Sequence, residues 1–172
     1  MGRKQVRCHG SEERFDLLAE FIYQHFGDSV EYIADVAGGQ GLLTRILRKR
    51  FNYAAEVIDP RGRTLKGVPS RRCEYTPDMA SHYDLIVGLH ADEATRAVVE
   101  SSRLRPILLV PCCNFWDRTR KLGTKALVEE IEAYLAEQSI DYDIIEFAFK
   151  GPKNVGIITK RRGDSVQTGP KR

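Results

Sequence analysis

The sequence predicts an α/β fold in which a largely parallel β-sheet carries helices on both faces and closes with an antiparallel pair. Three observations lead there. Short apolar runs alternate with longer stretches of helical periodicity through most of the chain, the pattern that strand-helix-strand units produce. A glycine-rich turn, Gly38-Gly39-Gln40-Gly41, joins the first apolar run to a helix. Near the end, two β-rich runs are separated only by Lys150-Gly151-Pro152-Lys153-Asn154, too short for a parallel crossover, which needs about a dozen residues.

The elements follow in order. Phe15, Leu17, Leu18, Phe21, Ile22 and Phe26 recur at helical spacing between Ser11 and Phe26, with Ser11 as cap and Glu12 and Glu13 as first-turn acids. The runs Tyr32 to Ala37 and Ala54 to Asp59 read as strands around a helix from Gly41 to Arg50. A weaker strand at Arg71 to Tyr75 precedes a strong one at Tyr83 to Leu89. A helix over Asp92 to Leu104, a strand at Pro106 to Val110 and a helix over Lys121 to Gln138 come next. Tyr142 to Phe149 and Val155 to Lys160 form the final pair. The 172 residues suit one domain, expected over 11–161 between basic tails at 1–10 and 162–172.

Charge and cysteines narrow the setting. With 27 basic and 24 acidic residues the net charge is only +3, so a nucleic-acid partner has to be argued from local clusters. Cys8, Cys73, Cys112 and Cys113 form no extracellular disulfide framework, which implies a reducing, cytoplasmic setting. No apolar run approaches the ~20 residues that cross a bilayer. Zinc is not expected, because the two adjacent thiols lack the C-x₂₋₄-C spacing and a second ligand pair.

Asp35 closes the first strand, and Gly38, Gly39 and Gly41 follow before a helix opens at Leu42. Glycine reaches positive φ without a Cβ penalty, and the amides at the helix start are available to polar groups. Asp59 ends the next strand, where a carboxylate accepts hydrogen bonds from ribose hydroxyls. The alternative, a turn that only joins strand to helix, leaves the order of strand, glycines, helix, strand and acid without a purpose. A dinucleotide site fits less well, since Thr44 stands where G-x-G-x-x-G has its third glycine.

In these residues the chain resembles class I S-adenosylmethionine-dependent methyltransferases, whose first motif is an acid followed by alternating glycines: Asp35-x-Ala37-x-Gly39-x-Gly41 matches with Ala37 in place of the first glycine. The resemblance implies a Rossmann-like seven-stranded sheet of order 3-2-1-4-5-7-6 and S-adenosylmethionine as cofactor. It places Asp35 and the backbone of Ala37, Gly38, Gly39 and Gly41 against the methionine part and Asp59 on the ribose. Pro60 and Arg61 flank the adenine, and Thr76 and Asp78 meet its edge.

Parallel sheets bind ligands beyond the carboxyl ends of their strands. That position belongs to Gly88-Leu89-His90-Ala91-Asp92 after the fourth strand and to Pro111-Cys112-Cys113-Asn114-Phe115-Trp116 after the fifth. His90, Asp92 and Asn114 are therefore the candidate catalytic residues, with His90 or Asp92 as base. Asp92 reads equally as a helix cap. Cys112, Cys113, Phe115, Trp116 and Arg118 are the candidate substrate contacts, although the cysteines read equally as small buried hydrophobes. A cysteine attacking C6 of a pyrimidine is a further option.

Gly88-Leu89-His90, Ala94-Thr95 and Cys112-Cys113 together are similar to a subgroup that includes eukaryotic tRNA acceptor-stem ribose methylases and proteins related to rRNA adenine dimethylases. RNA, either tRNA or rRNA, is accordingly the expected substrate. Arg48-Lys49-Arg50, Arg61, Arg63, Arg71-Arg72, Arg118 and Arg120-Lys121 would meet phosphates, and Tyr75, Phe115 and Trp116 would stack bases. A small-molecule or protein methyltransferase and a noncatalytic partner subunit of the same fold are the alternatives.

Overall fold

A computed structural model describes residues 11–150 and 153–160. Seven strands form one sheet: β1 (Tyr32–Val36), β2 (Ala54–Ile58), β3 (Ser70–Arg71), β4 (Leu85–Leu89), β5 (Ile107–Val110), β6 (Tyr142–Glu146) and β7 (Val155–Thr159). Their order is β3-β2-β1-β4-β5-β7-β6, with β7 antiparallel to both neighbours and the other pairs parallel. The helices are α1 (Glu13–Phe26), α2 (Leu42–Phe51), α3 (Thr95–Glu100) and α4 (Thr124–Glu137). The expected Rossmann-like topology is the one observed.

Strand alternation divides the core between two faces. Ile33, Leu85, Val87, Leu108 and Val110 pack with Leu18 and Ile22 of α1 and Leu43 and Leu47 of α2. Ala34, Val36, Ile86, Ile107 and Leu109 pack with Val98 of α3 and Leu127, Ile131 and Leu135 of α4. β4 and β5 are buried along their whole length, as strands covered on both faces must be, whereas the edge strands β3 and β6 are mostly exposed.

Element boundaries depart from the sequence reading where particular residues intervene. Ser11 does not cap α1, which starts at Glu13 without a side-chain cap. The helix expected over 92–104 is broken into a 3₁₀ turn, α3 and a second 3₁₀ turn. Asp92 has φ +47°, which no right-handed helix accepts, and the Ser101 and Ser102 hydroxyls donate back to Ala97 and Val99 carbonyls at 2.8 and 2.5 Å. β3 is two residues long because the chain then leaves the sheet to bury Tyr75, whose hydroxyl is 2.8 Å from Ser101 Oγ. β6 stops at Glu146, after which Asn154 Nδ2 donates to the Phe147 carbonyl at 2.9 Å. The expected tails and the tip of the last turn lie outside the described residues.

Main-chain bonds carry the sheet register past the strand ends. Ala37 N donates to Ile58 O at 2.9 Å, Asp59 N to Arg71 O at 3.1 Å and His90 N to Val110 O at 2.9 Å. Ala37, Asp59 and His90 are thereby lined up along the carboxyl edge. Strand order reverses between β1 and β4, the position where open α/β sheets bind ligands.

Candidate functional site

The glycine turn is built from three different backbone needs. Ala37, Gly39 and Gly41 all have left-handed φ, at +55°, +59° and +76°. A Cβ on Gly41 would meet Val68 and Val57 methyls at 2.7 and 2.9 Å, and one on Gly38 would lie 2.5 Å from the Asp35 carboxyl. Those two glycines serve internal packing. Gly39 differs, because a Cβ there would have nothing within 4 Å. Open space beside a left-handed main chain is what a ligand approaching the backbone requires.

Asp35 sits beneath this turn, 1% exposed. Its Oδ2 accepts the Thr44 hydroxyl at 2.8 Å. Burial pushes its carboxyl up to about 6, against the bonds from Thr44, and neighbouring Asp59 adds to the rise. Thr44, which breaks the dinucleotide glycine pattern, is thus the partner that a buried acid needs.

Asp59 is 2% exposed and heavily engaged. Oδ2 accepts the Gly39 main-chain N–H at 3.0 Å, so β2 is tied directly to the turn. Arg61 supplies the rest: its main-chain N–H and Nε donate to Oδ1 at 2.9 Å each, and Nη2 donates to Oδ2 at 2.6 Å. Burial raises the Asp59 carboxyl, but the bonds from Arg61 and Gly39 outweigh it and hold it below its ordinary range. Arg61, expected beside adenine, lies on the acid expected to hold ribose, and its Nη2 also reaches Ala37 O at 3.2 Å.

Around this centre, the Pro60 carbonyl accepts Arg72 Nε at 3.3 Å. Thr76 and Asp78 are exposed at the start of the 3₁₀ turn Pro77–His82.

The end of β4 is strained. His90 has φ +55° and Asp92 φ +47°, two non-glycine residues in the left-handed region within three positions. His90 Nε2 lies 3.4 Å from the Lys153 carbonyl. Burial, then the charge of Arg14, lowers its pKa below 6.5, leaving the ring neutral at pH 7. No side-chain cap is made at the 3₁₀ turn beginning at Asp92 or at α3, which removes the capping alternative. Instead Asp92 Oδ1 accepts the Cys112 thiol at 3.4 Å.

The rim after β5 departs furthest from expectation. Asn114 is not free for catalysis: Nδ2 donates to the Asp117 and Arg120 carbonyls, both at 2.7 Å, and Oδ1 accepts Asp117 N–H at 3.0 Å. This amide closes a loop. Trp116 is 8% exposed, packed 5.3 Å from Tyr134 with the Arg96 guanidinium 4.2 Å above its ring. Neither it nor buried Tyr75 presents a face for stacking. Phe115 is half-buried under Arg118, whose own guanidinium pairs with Glu93 at 2.7 Å. Burial, Cys113 and Asp92 push the Cys112 thiol up to about 12, which makes it a poor nucleophile. Cys113 is exposed, 3.6 Å from Lys153 Nζ.

The basic clusters are partly neutralised. Arg50 pairs with Asp16 at 2.8 Å, Arg71 with Glu56 at 2.9 Å, and Arg120 with Asp117 and Glu130 at 2.7 and 2.9 Å. Arg48, Lys49 and Arg50 also occupy the last turn of α2. At about 1.5 Å per residue that lies roughly 10 Å from the glycine turn. Sequence reasoning could not see the Arg50 and Arg71 pairings, which join residues 34 and 15 positions apart in the chain. No group of metal ligands occurs among the described residues. None of the described helices is long and apolar enough to cross a membrane.

No protein-family model matches the chain, and no curated protein matches it in sequence. Solved structures do. A sugar N-methyltransferase from a Streptoalloteichus species is 15% identical with a TM-score of 0.57, over 94% of this chain and 98% of that one. An S-adenosylmethionine-bound amino pentose methyltransferase from Micromonospora echinaspora is 14% identical with a TM-score of 0.56, over 93% and 100%. A ribosomal protein methylase from Lactobacillus delbrueckii subsp. bulgaricus is 15% identical with a TM-score of 0.58, over 90% and 81%. With its sheet order and antiparallel β7, the chain has the Rossmann-like fold of class I S-adenosylmethionine-dependent methyltransferases.

Proposed function

We propose that this chain is a methyltransferase that takes its methyl group from S-adenosylmethionine. One observation carries the reading: at the carboxyl edge of a sheet of this order, the open main chain of Gly39 donates its N–H to Asp59, a buried acid of the kind that would receive sugar hydroxyls. The residues fit a nucleoside because Gly39 leaves room and Asp59 is ionised at neutral pH. The bound cofactor supplies an activated methyl group on a sulfonium. Thr76 and Asp78 stand exposed and would meet the adenine edge.

The chain's own task is to align an acceptor, exclude water and remove a proton where the acceptor carries one. His90 suits the last step. In the tautomer that donates Nε2–H to the Lys153 carbonyl, Nδ1 keeps a lone pair on a neutral ring. Asp92 holds the Cys112 thiol proton and adds negative charge beside the same rim.

For the acceptor, a small molecule or protein fits the surface better than RNA, since Arg50, Arg61, Arg71, Arg118 and Arg120 are paired with acids and Tyr75 and Trp116 are buried. The similar structures named for sugar, amino pentose and ribosomal protein methylation accord with that class. RNA is a second reading, favoured by the Gly88-Leu89-His90 and Cys112-Cys113 resemblance. Arg63 and Lys66 add to it, being exposed on the loop whose Leu65 N–H bonds Gln40 O at 3.0 Å.

The test is incubation with tritiated S-adenosylmethionine and separated metabolite, protein and RNA fractions, expecting label in the first or second. Label in RNA selects the second reading. Absence of label, together with no calorimetric binding of S-adenosylmethionine, makes the chain a noncatalytic scaffold.

A further inference from the structure

We propose that Arg61 is an internal latch on the cofactor site, holding the place of the ribose hydroxyls in the ligand-free protein and giving it up when a nucleoside binds. The inference rests on the methyltransferase reading above.

Asp59 has two oxygens, and among the described residues every hydrogen bond to them comes from Gly39 or Arg61. The Gly39 bond and the Arg61 main-chain bond belong to the turn itself. The guanidinium bonds are different in kind, because they come from a half-exposed side chain that reaches back over two residues. A sugar hydroxyl needs the same lone pairs. The guanidinium also donates to the Ala37 carbonyl, so it spans the ends of β1 and β2 beside the open space at Gly39. Ligand and side chain thus compete for one surface.

Release has a physical route. Gly62, directly after Arg61, has φ +61°, a backbone setting that favours glycine. Asp92 and Glu93, on the opposite rim after β4, already attract the Arg61 charge. A displaced guanidinium therefore moves toward the acceptor side and remains in favourable company. Arg61 is in this sense a positioning residue: the ligand that frees Asp59 also sends a cation to the rim that holds His90.

The experiment titrates S-adenosylhomocysteine, a stable nucleoside probe, into wild type, Arg61→Ala and Arg61→Lys at pH 8 by calorimetry, alongside thermal unfolding of each ligand-free protein. Arg61→Ala removes the competitor, so binding is expected to tighten about ten-fold. It also strips a buried carboxylate of its partner, so the ligand-free protein is expected to melt lower. Arg61→Lys falls between on both measures. These opposite signs separate a latch from a merely structural residue, whose loss would weaken both. Equal or weaker binding by Arg61→Ala, with wild type binding normally, overturns the latch and leaves the methyltransferase reading standing. No binding by wild type or either variant overturns both.

Discussion

The Thr44 hydroxyl donates to the buried Asp35 carboxylate at 2.8 Å, joining the first turn of α2 to the last residues of β1 beneath the glycine turn. Burial of this carboxyl, working against the Thr44 bond, makes the turn sensitive to pH. The Asp35 carboxyl stands near 6 in the fold against 3.8 outside it. The folded protein therefore binds the extra proton between about pH 4 and pH 6, and the cost of ionising Asp35 in place grows across that window. At pH 7 the cost is about 3 kcal/mol. Asp35→Asn should remove it: the urea midpoint of the variant, relative to wild type, is expected to rise from pH 4 to pH 7. A constant difference across that range would show that Asp35 ionises as it does in water.

Ala37 and Gly39 share a left-handed backbone but differ in purpose. Ala37→Gly is expected to stabilise the protein by about 1 kcal/mol, because φ +55° costs an alanine what it does not cost a glycine. Gly39→Val meets no atom within 4 Å of its Cβ but sets a β-branched residue at φ +59°, so it should fold with a stability lower by about 1–2 kcal/mol; it also fills the open space and is expected to abolish S-adenosylhomocysteine binding. Calorimetry and thermal melting together check both, and unimpaired binding by Gly39→Val would move the cofactor elsewhere.

His90 is expected to act as a base with a pKa below 6.5. Turnover should fall as pH drops through that range, with the limb missing in His90→Gln. Loss of the ring in His90→Ala is expected to lower kcat about 100-fold while changing cofactor affinity little. Equal kcat in wild type and variant would place the reaction centre away from β4.

Asn114 carries three loop-closing hydrogen bonds, so Asn114→Ala is expected to act on stability, by about 1–2 kcal/mol. Chemical denaturation reads this directly. An unchanged midpoint with a large fall in kcat would return the amide to the catalytic set.

The two thiols after β5 should differ in reactivity. Iodoacetamide at pH 7.5 is expected to label exposed Cys113 and Cys73 and to spare Cys112, whose thiol is pushed up to about 12. Peptide mass spectrometry reads the pattern. Cys112→Ser should retain methyl transfer, and complete loss of transfer with intact cofactor binding would revive the covalent pyrimidine mechanism.

The order of strands and helices, the glycine turn, and Asp35 and Asp59 as its two acids were all legible in the chain itself. Each depends on residues close in sequence: apolar periodicity, glycines where φ is positive, and acids at strand ends. What only the tertiary structure decided is which of those residues are already committed. Arg61 on Asp59, Asn114 within its loop, Trp116 between Arg96 and Tyr134, and Arg50 on Asp16 are matters of packing, and the last two join segments about 20 or more positions apart. A polar or aromatic residue at a strand end reads the same in sequence whether it faces a ligand or a neighbour. The difference lies in hydrogen-bond partners and burial, which exist only once the chain has folded.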